Sequence, residues 1–420
     1  PAAVGGVGLT CQRSTCLFWD AESGKALTPA LSWQDRRGEE ICKALSPHAL
    51  PIIRKTGLRL SPHYAASKIR WLLDSTPGLR RLAESGRARF GTLDSYLLFR
   101  LTGGASWSTD PTHAARTLLM DLRRLDWDPD LLDLFGVGYR CLPPIRPSVF
   151  PAGELRIRGT RIRITATVGD QQAALLGLGC SRRGELAINY GTGAFAALNT
   201  GRRPVRVPGL LTSVAWSSEK AVRFLLEGPV NAAGSAVEWM EGLVGPAGRK
   251  EESLNELDAL PIVIPALAGI GAPHWRGDVN SAILDLRRDT KPAQLRAATM
   301  AGIACRIREI VERMGRHRRR AVPIVVAGGL LQRPGLVRFQ ASLIHGVLLQ
   351  ARDPDATVRG AALLAGHAQG AWDLEGRNFP AAPSRRVSPG KRNRAAEAYY
   401  RRFASHLRRL LDASAVDGAP

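Results

Sequence analysis

Cysteine is scarce in this sequence and never arranged for metal binding. The six cysteines among 420 residues form no Cys-x-x-Cys pair, and none has the spacing of a zinc site. So low a density excludes a small disulfide-stapled secreted scaffold. We expect reduced thiols in a cytoplasmic protein.

Long apolar runs are also missing. The longest, 259–273, contains Pro261, Pro265 and Pro273 and is shorter than the roughly 20 residues that a membrane span needs. No charged segment followed by an apolar run marks a signal peptide. We therefore predict no membrane segment. The first residue is Pro1 rather than Met, and we expect the sequence to begin inside a longer protein.

Basic residues are abundant, but they are not interleaved with aromatic ones. The formal net charge of +22 would suit a nucleic-acid partner, yet the arginines are spread along the chain, often as pairs. We predict a solvated basic surface and no nucleic-acid partner. The exception is Arg316-His317-Arg318-Arg319-Arg320, which either binds anions or closes a helix, where cations suit the helix dipole.

Composition and length indicate an ordinary globular protein of two domains. The chain is 45% apolar and 23% charged, and 420 residues exceed what one core usually organises. We place the boundary near residue 178, which gives domains 1–178 and 179–420.

Short strands ending in small residues alternate with helices, a pattern typical of α/β proteins that gather ligands at the carboxyl ends of their strands. The predicted strands are a buried one at 4–10, a hairpin over 17–27, and further strands at 166–170, 187–190 and 322–326. The predicted helices are 61–73, 92–101, 171–178, Pro292–Met314, one that holds Phe339 and Gln340, and 395–411 after a loop over 380–392.

Three short segments at predicted strand ends carry candidate chemistry. In Gly169-Asp170-Gln171-Gln172, Asp170 is either a base or a helix N-cap. Tyr190-Gly191-Thr192-Gly193 is either a turn whose NH groups cradle phosphate or a plain turn. Gly328-Gly329 allows either a flat ligand or a packed helix to approach the backbone.

Nine blocks in one order carry a family resemblance. They are Cys11-Gln12-Arg13, Ser32-Trp33-Gln34-Asp35-Arg36-Arg37, Phe90-Gly91-Thr92-Leu93-Asp94-Ser95, Thr109 to Thr117, Gly169 to Leu175, Tyr190 to Phe195, Glu227-Gly228, Gly271-Ala272-Pro273-His274-Trp275 and Gly328-Gly329. Over nearly its whole length the chain resembles the FGGY carbohydrate kinases, and within them the glycerol kinases.

The resemblance implies two actin-like (ribonuclease H-like) ATPase domains around a central cleft. It also implies transfer of the γ-phosphate of ATP, with Mg²⁺, to a polyol or sugar hydroxyl, with glycerol as the first candidate. It leaves homo-oligomerisation open. Asp170 matches the catalytic base, and no residue is assigned to metal. The polyol-site positions are matched by Arg13, Ser14, Trp33, His63, Gln171 and Phe195, and the nucleotide-site positions by Thr192, Gly234, Gly329 and Arg333. For Trp33 and Phe195, core packing is the alternative.

Four positions depart from the family pattern. Ser14 replaces a glutamate that bonds substrate hydroxyls, and His63 replaces a tyrosine. Glu238 and Arg333 replace an amide pair near the nucleotide. We therefore expect a wider polyol site that is less selective for glycerol, and a kinase for another polyol or a ketose is the alternative.

The family's opening phosphate loop, Asp-x-Gly-Thr-Thr, is expected before residue 1, so the first domain is expected to be incomplete. Gly24-Lys25 does not replace this loop, because a P-loop needs a glycine where Trp19 stands and a hydroxyl where Ala26 stands. A truncated start is the favoured explanation, and a catalytically impaired actin-like protein is the alternative.

Overall fold

A computed structural model describes residues 4–246, 254, 257–333, 335–376, 378–380, 382–389 and 393–416. Strands and helices alternate along these segments, and the predicted α/β class is confirmed.

A small mixed sheet organises the first part of the chain. The strands in this part are β1 (Val7–Cys11), β2 (Cys16–Asp20), β3 (Ala88–Thr92), β4 (Met120–Asp121), β5 (Asp126–Trp127), β6 (Val149–Ile157) and β7 (Thr160–Gly169). β7 lies between β1, to which it is parallel, and β6, to which it is antiparallel. β2 pairs with β3 and β4 with β5 in separate antiparallel ribbons.

The second part of the chain contains a larger sheet. The strands are β8 (Leu186–Tyr190), β9 (Ala194–Gly201), β10 (Leu211–Ser217), β11 (Val222–Val230), β12 (Ile262–Ile264), β13 (Ala282–Leu284), β14 (Ile324–Ala327), β15 (Leu348–Ala351) and β16 (Ser384–Val387). Seven of them form one sheet in the order β10-β11-β9-β8-β14-β15-β16. Only β8, β14 and β15 are mutually parallel, and β12 pairs with β13 separately.

Helices cover both sheets. They are α1 (Glu39–Ala44), α2 (Ala49–Thr56), α3 (Ala65–Ser75), α4 (Leu79–Glu84), α5 (Leu93–Leu101), α6 (Pro111–Ala114), α7 (Pro129–Phe135), α8 (Asp170–Gly177), α9 (Gly234–Val244), α10 (Pro292–Met314), α11 (Leu336–Leu343), α12 (Ala356–Ala368) and α13 (Asn393–Val416). The longest buried one, α10, has the predicted bounds. Its first residue is a proline, whose fixed φ suits that position. Ile303 and Ile307 of α10 are fully buried in the core beneath the larger sheet.

The two parts of the chain meet through helices α8 and α12. A Cβ added to Gly360 in α12 would lie 1.8 Å from the carbonyl oxygen of Ala173 in α8, and one added to Gly177 would lie 1.8 Å from that of Ala356. The backbones of these helices are therefore in direct contact. This contact crosses the proposed boundary at residue 178.

Several predicted elements need correction. The helix predicted from residue 61 begins at Ala65. Strand β2 does form the predicted hairpin, through the antiparallel bridge between Trp19 and Ala26, but its longer pairing is with β3. The predicted loop 380–392 contains β16. The first strand is half-buried rather than buried.

Two further observations concern the cysteines and membrane-spanning segments. All six cysteines are free. Among the described residues, no helix combines the length and apolar character that a membrane span requires.

Candidate active site

Arg13 and Asp170 follow two parallel strands that end side by side. Cys11 of β1 lies opposite Gly169 of β7, so the residues after both strands emerge at one sheet edge. The Nε atom of Arg13 lies 3.3 Å from Oδ1 of Asp170. A Cβ on Gly169 would lie 2.8 Å from Cδ of Arg13, so the glycine permits this close approach.

The Arg13 guanidinium is held from behind by one residue from each part of the chain. Its Nη1 donates to Oε2 of Glu227 in β11 at 3.2 Å and to Oε1 of Gln172 at 3.3 Å. The other oxygen of Glu227 accepts from Nη1 of Arg116 at 3.1 Å. Burial alone would raise the pKa of the Glu227 carboxyl, but Arg116 and Arg13 hold it below its ordinary value. One buried carboxylate thus orients two arginines.

Asp170 is the first residue of α8, and the prediction that it caps this helix is wrong. The N-cap is Gly169, which has no side chain to bond the exposed NH groups of the first turn. Instead, Oδ1 of Asp170 accepts from the backbone NH of Gln171 at 2.7 Å. The Asp170 side chain is 32% exposed, so its carboxylate is accessible to a ligand. Gln171 itself is half-buried beside it.

Ser14 lies beside the same cluster, but its hydroxyl is turned inward. The residue is 5% exposed, and Oγ donates to the carbonyl oxygen of Arg116 at 3.1 Å. Its φ of +64° lies in the left-handed region that non-glycine residues seldom adopt. The hydroxyl hydrogen is therefore committed to the protein, and only the oxygen lone pairs remain for a ligand.

Trp33 and His63 form an exposed pair next to this loop. Trp33 is 43% exposed, so the alternative that it packs in the core is wrong. Nδ1 of His63 lies 3.2 Å from the carbonyl oxygen of Trp33, and the two ring centroids are 6.3 Å apart. The backbone NH of Trp33 donates to Oγ1 of Thr15 at 3.1 Å, which ties the pair to the loop that carries Arg13 and Ser14.

The predicted nucleotide residues gather at the ends of β8 and β14. The turn after β8 is closed by a bond from the NH of Gly191 to the carbonyl of Gly193 at 2.9 Å. The NH of Gly234, the first residue of α9, donates to the Gly191 carbonyl at 2.9 Å, which places Gly234 beside the exposed Thr192. Helix α9 therefore begins directly on this turn.

Gly328 and Gly329 adjoin the turn from the neighbouring strand. Ala327 of β14 pairs with Asn189 of β8, and a Cβ on Gly328 would lie 2.2 Å from the Tyr190 carbonyl oxygen. Gly328 has a φ of +109°, a region open to glycine alone, so close backbone packing explains this residue. Arg333 follows Gly329 closely and pairs with Glu241 of α9 at 2.7 Å.

Strand β11 connects the two groups of residues. Glu227 and Val230 lie on this strand, and Val230 pairs with Ala194, which directly follows the Thr192 turn. Three residues of strand span about 10 Å, so the turn and the Arg13 cluster lie along one strand. Phe195, half-buried in β9, pairs with Pro229 between them.

A buried acidic cluster lies beside the end of β1, where Nε2 of His113 is 3.4 Å from Sγ of Cys11. The ligand atoms of Asp94, Asp110 and His113 come within 4.8 Å of one another. Asp94 accepts from Thr109 at 2.7 Å, and Asp110 accepts from Thr112 and His113 at 2.7 and 2.9 Å. The carboxylates are therefore occupied by donors of the chain, which indicates a hydrogen-bonded core rather than a metal site.

Three residues of this region have no assigned role in the sequence analysis: Arg116, Glu227 and Lys68. Each is a charged side chain at most 8% exposed. For Lys68, the available signal is a lysine among small and apolar residues at the start of a helix. Buried charges need partners, and a partner distant in sequence is not visible from the sequence alone.

Comparisons with known proteins identify the same family over most of the chain. The model of the FGGY family of carbohydrate kinases, N-terminal domain, matches residues 1–177, and that of the C-terminal domain matches residues 186–369. A glycerol kinase of Thermus brockianus is 40% identical over 405 residues, which are 92% of this chain and 82% of that protein. A glycerol kinase of Halorhodospira halophila is 37% identical over 428 residues, 98% of this chain and 84% of that protein.

Solved structures of two kinases have a fold similar to that of this chain. Plasmodium falciparum glycerol kinase with ADP superimposes with a TM-score of 0.87 at 28% identity, covering 96% of this chain and 84% of the other. A ligand-bound xylulose kinase from Lactobacillus acidophilus, at 21% identity, shares the fold with a TM-score of 0.84, covering 100% and 87% of the two chains. The chain thus has the two-domain, actin-like α/β fold and belongs to the FGGY family of carbohydrate kinases.

Proposed function

We propose that this kinase uses ATP to phosphorylate a polyol, with glycerol as the principal acceptor and glycerol 3-phosphate as the product. The relatives named glycerol kinase support the acceptor. The structural observation that carries the proposal is the accessible Asp170 carboxylate, which is held by Arg13 at the end of two adjacent strands. We also propose that the enzyme is cytoplasmic. The boundary between its two domains is proposed to lie near residue 178.

The residues divide the chemistry between them. Asp170 accepts the proton of the attacking hydroxyl as the new oxygen–phosphorus bond forms and the bond from the γ-phosphorus to the bridging oxygen breaks to release ADP, and general base catalysis of this kind contributes about 10²–10⁴-fold. Arg13 and Gln171 bond the acceptor hydroxyls, while Trp33, His63 and Phe195 border the carbon chain. Because the hydroxyl of Ser14 is turned inward, it offers substrate hydroxyls fewer hydrogen bonds than the glutamate that it replaces. We propose that the site therefore also admits longer polyols.

The glycine turn binds the nucleotide. NH groups and the Thr192 hydroxyl at the end of β8 suit phosphate oxygens. Gly234, Gly329 and Arg333 border the rest of the nucleotide. Mg²⁺ keeps several water ligands and binds substrate phosphates, so the ion would accompany the phosphates of ATP. When bound, the ion neutralises charge on the transferred phosphate.

Replacing the base tests the proposal. Asp170→Asn should lower kcat with glycerol by at least about 10²-fold and leave the KM for ATP within a few-fold, because the base acts on the acceptor. Steady-state ADP release measures both constants. Asp133→Asn, an exposed carboxylate of α7, is the matched control. A kcat for Asp170→Asn within tenfold of the control would contradict the assignment.

The acceptor is tested separately by a panel of three- to six-carbon polyols and ketoses. We expect turnover of glycerol with a raised KM, together with measurable turnover of a four-carbon polyol. Exclusive use of glycerol at low KM would contradict the wider site, and a ketose used better than any polyol would contradict the principal acceptor.

A further inference from the structure

A single buried lysine connects the three segments that carry the proposed polyol site. Lys68, in α3, is 0% exposed. Its Nζ donates to the carbonyl oxygens of Ser32 at 2.7 Å, His63 at 3.0 Å and Ser14 at 3.4 Å. An ammonium group has three N–H donors, so these three bonds use all of them.

Each of these carbonyls belongs to a residue proposed to border the acceptor or to the neighbour of such a residue in the chain. Ser14 follows Arg13, Ser32 precedes Trp33, and His63 pairs with the Trp33 backbone. The three segments are far apart along the chain, and the lysine reaches 54 residues back to the first of them. Its position therefore sets the distances between these loops.

Burial of this charge would be unfavourable without such a role. An ammonium taken out of water costs free energy unless it is fully hydrogen-bonded, and an apolar side chain of the same length would fill the space without that cost. Burial also lowers the pKa of Lys68, and among the residues acting on it only Cys16 and Asp35 oppose this shift. Of the lysines in the described segments, Lys68 alone is buried.

Of the three contacts of Lys68, the one with Ser14 supports an unusual backbone conformation. With a φ of +64°, Ser14 holds a backbone conformation that needs support from its surroundings. That support comes from the Lys68 bond to its carbonyl and from the bond of its hydroxyl to Arg116. Arg13 precedes Ser14, so loss of the lysine bond would also loosen the guanidinium that contacts Asp170.

We propose that Lys68 is a positioning residue of the acceptor site, whose ammonium fixes the loops bearing Arg13, Trp33 and His63 relative to one another. This inference rests on the proposed polyol kinase activity. Lys68 lies behind the loops and acts through them. The three bonded segments belong to the acceptor side of the cleft, so the nucleotide residues at the ends of β8 and β14 should be unaffected.

The test compares Lys68→Met with Lys55→Met. Lys55, in α2 of the same part of the chain, bonds Asp128 and Asp130 at 2.6 and 2.5 Å, away from the proposed site. For Lys68→Met we expect the KM for glycerol to rise by about 10- to 100-fold and the KM for ATP to stay within about twofold, because misplaced binding groups weaken acceptor binding. For Lys55→Met we expect a lower melting temperature and both KM values within about twofold of wild type.

A change in acceptor preference is a second readout, because loosened loops should lower the ratio of kcat/KM between three- and four-carbon polyols. Lys68→Gln keeps two N–H donors and should give a KM for glycerol between those of wild type and Lys68→Met. If Lys68→Met does not fold, Lys68→Gln decides alone, with about a 3- to 10-fold rise in KM expected.

An unchanged KM for glycerol in the Lys68 variants would overturn the proposal, and so would equal rises in the KM values for glycerol and ATP. Absence of polyol turnover in wild type and Lys55→Met would instead overturn the proposed function itself.

Discussion

Glu227 neutralises two guanidinium groups while it is 2% exposed. Glu227→Gln would remove the carboxylate partner of Arg116 and leave Arg13 with Asp170 alone, and breaking a buried ion pair from one side costs about 3–5 kcal/mol. Urea unfolding measures this loss. The matched control is Glu39→Gln, which removes an exposed pair with Arg36 and should cost less than about 1 kcal/mol. Equal losses in the two variants would show that the pairs with Glu227 contribute no more than a surface pair.

Two substitutions of Ser14 differ mainly in how easily the new residue adopts the left-handed backbone conformation at this position. Ser14→Ala and Ser14→Gly both remove the hydroxyl bond to Arg116, but only glycine adopts a φ of +64° without strain. We expect Ser14→Gly to be more stable than Ser14→Ala by about 1–2 kcal/mol. Thermal unfolding of the two variants measures the difference. If Ser14→Ala were the more stable, this backbone conformation would cost little.

At the scale of elements, the contact between α8 and α12 is close enough to exclude a methyl group. A Cβ on Gly360 would lie 1.8 Å from the Ala173 carbonyl oxygen, so Gly360→Ala forces the helices apart, and overpacking of this kind costs about 1–3 kcal/mol. Because α8 begins with Asp170, we also expect kcat to fall.

The matched control for Gly360→Ala lies in α9, where a Cβ on Gly242 would meet nothing within 4 Å. Gly242→Ala should stabilise the protein by about 0.5–1 kcal/mol, since alanine is the better helix former. Melting temperatures of the two variants should therefore move in opposite directions. A melting temperature of Gly360→Ala at or above that of wild type would contradict the close contact.

Local chemistry determines how well each element can be predicted. Helix α10 has its predicted bounds because Pro292 suits a first helical residue and the apolar pattern runs unbroken to Met314. Strand β16 was missed because its Ser-Arg-Arg-Val sequence has no apolar alternation and depends on pairing with β15. The partner of β2 is β3, about 70 residues onward, and local patterns contain no such information.

The candidate site likewise combines residues that the sequence predicts with contacts that it does not. Family motifs point to Asp170, Arg13 and the Thr192 turn, and the structure places each of them at a strand end. The pairing of Glu227 with two arginines, the inward hydroxyl of Ser14 and the three bonds of Lys68 are absent from the sequence predictions, because each depends on segments distant along the chain.

At the scale of the whole molecule, a buried network joins the two parts of the chain beside the site. Oγ of Ser148, in the first part, donates to Asp110 at 2.5 Å and accepts from the backbone NH of Ser217 in β10 at 3.1 Å. Nδ1 of His113 lies 2.9 Å from the same aspartate. The protonation of His113 is therefore linked to the contact between the two parts.

This linkage predicts that global stability depends on pH above neutrality. Burial alone would lower the pKa of His113, but Asp94, Cys11 and Asp110 raise it well above its ordinary value. The folded pKa exceeds that of the unfolded chain, so the stabilisation is complete below about pH 6.5 and is lost as the pH rises through the folded pKa, at about 1.4 kcal/mol for each unit of pKa difference.

Urea unfolding of wild type and His113→Asn between pH 6 and pH 9 measures this effect. Wild type should lose stability steadily as the pH rises, whereas His113→Asn should start lower and change less, because its side chain does not titrate. Parallel pH profiles of the two proteins would show that His113 is neutral in the folded state, and the contact between the two parts would then owe nothing to a buried imidazolium.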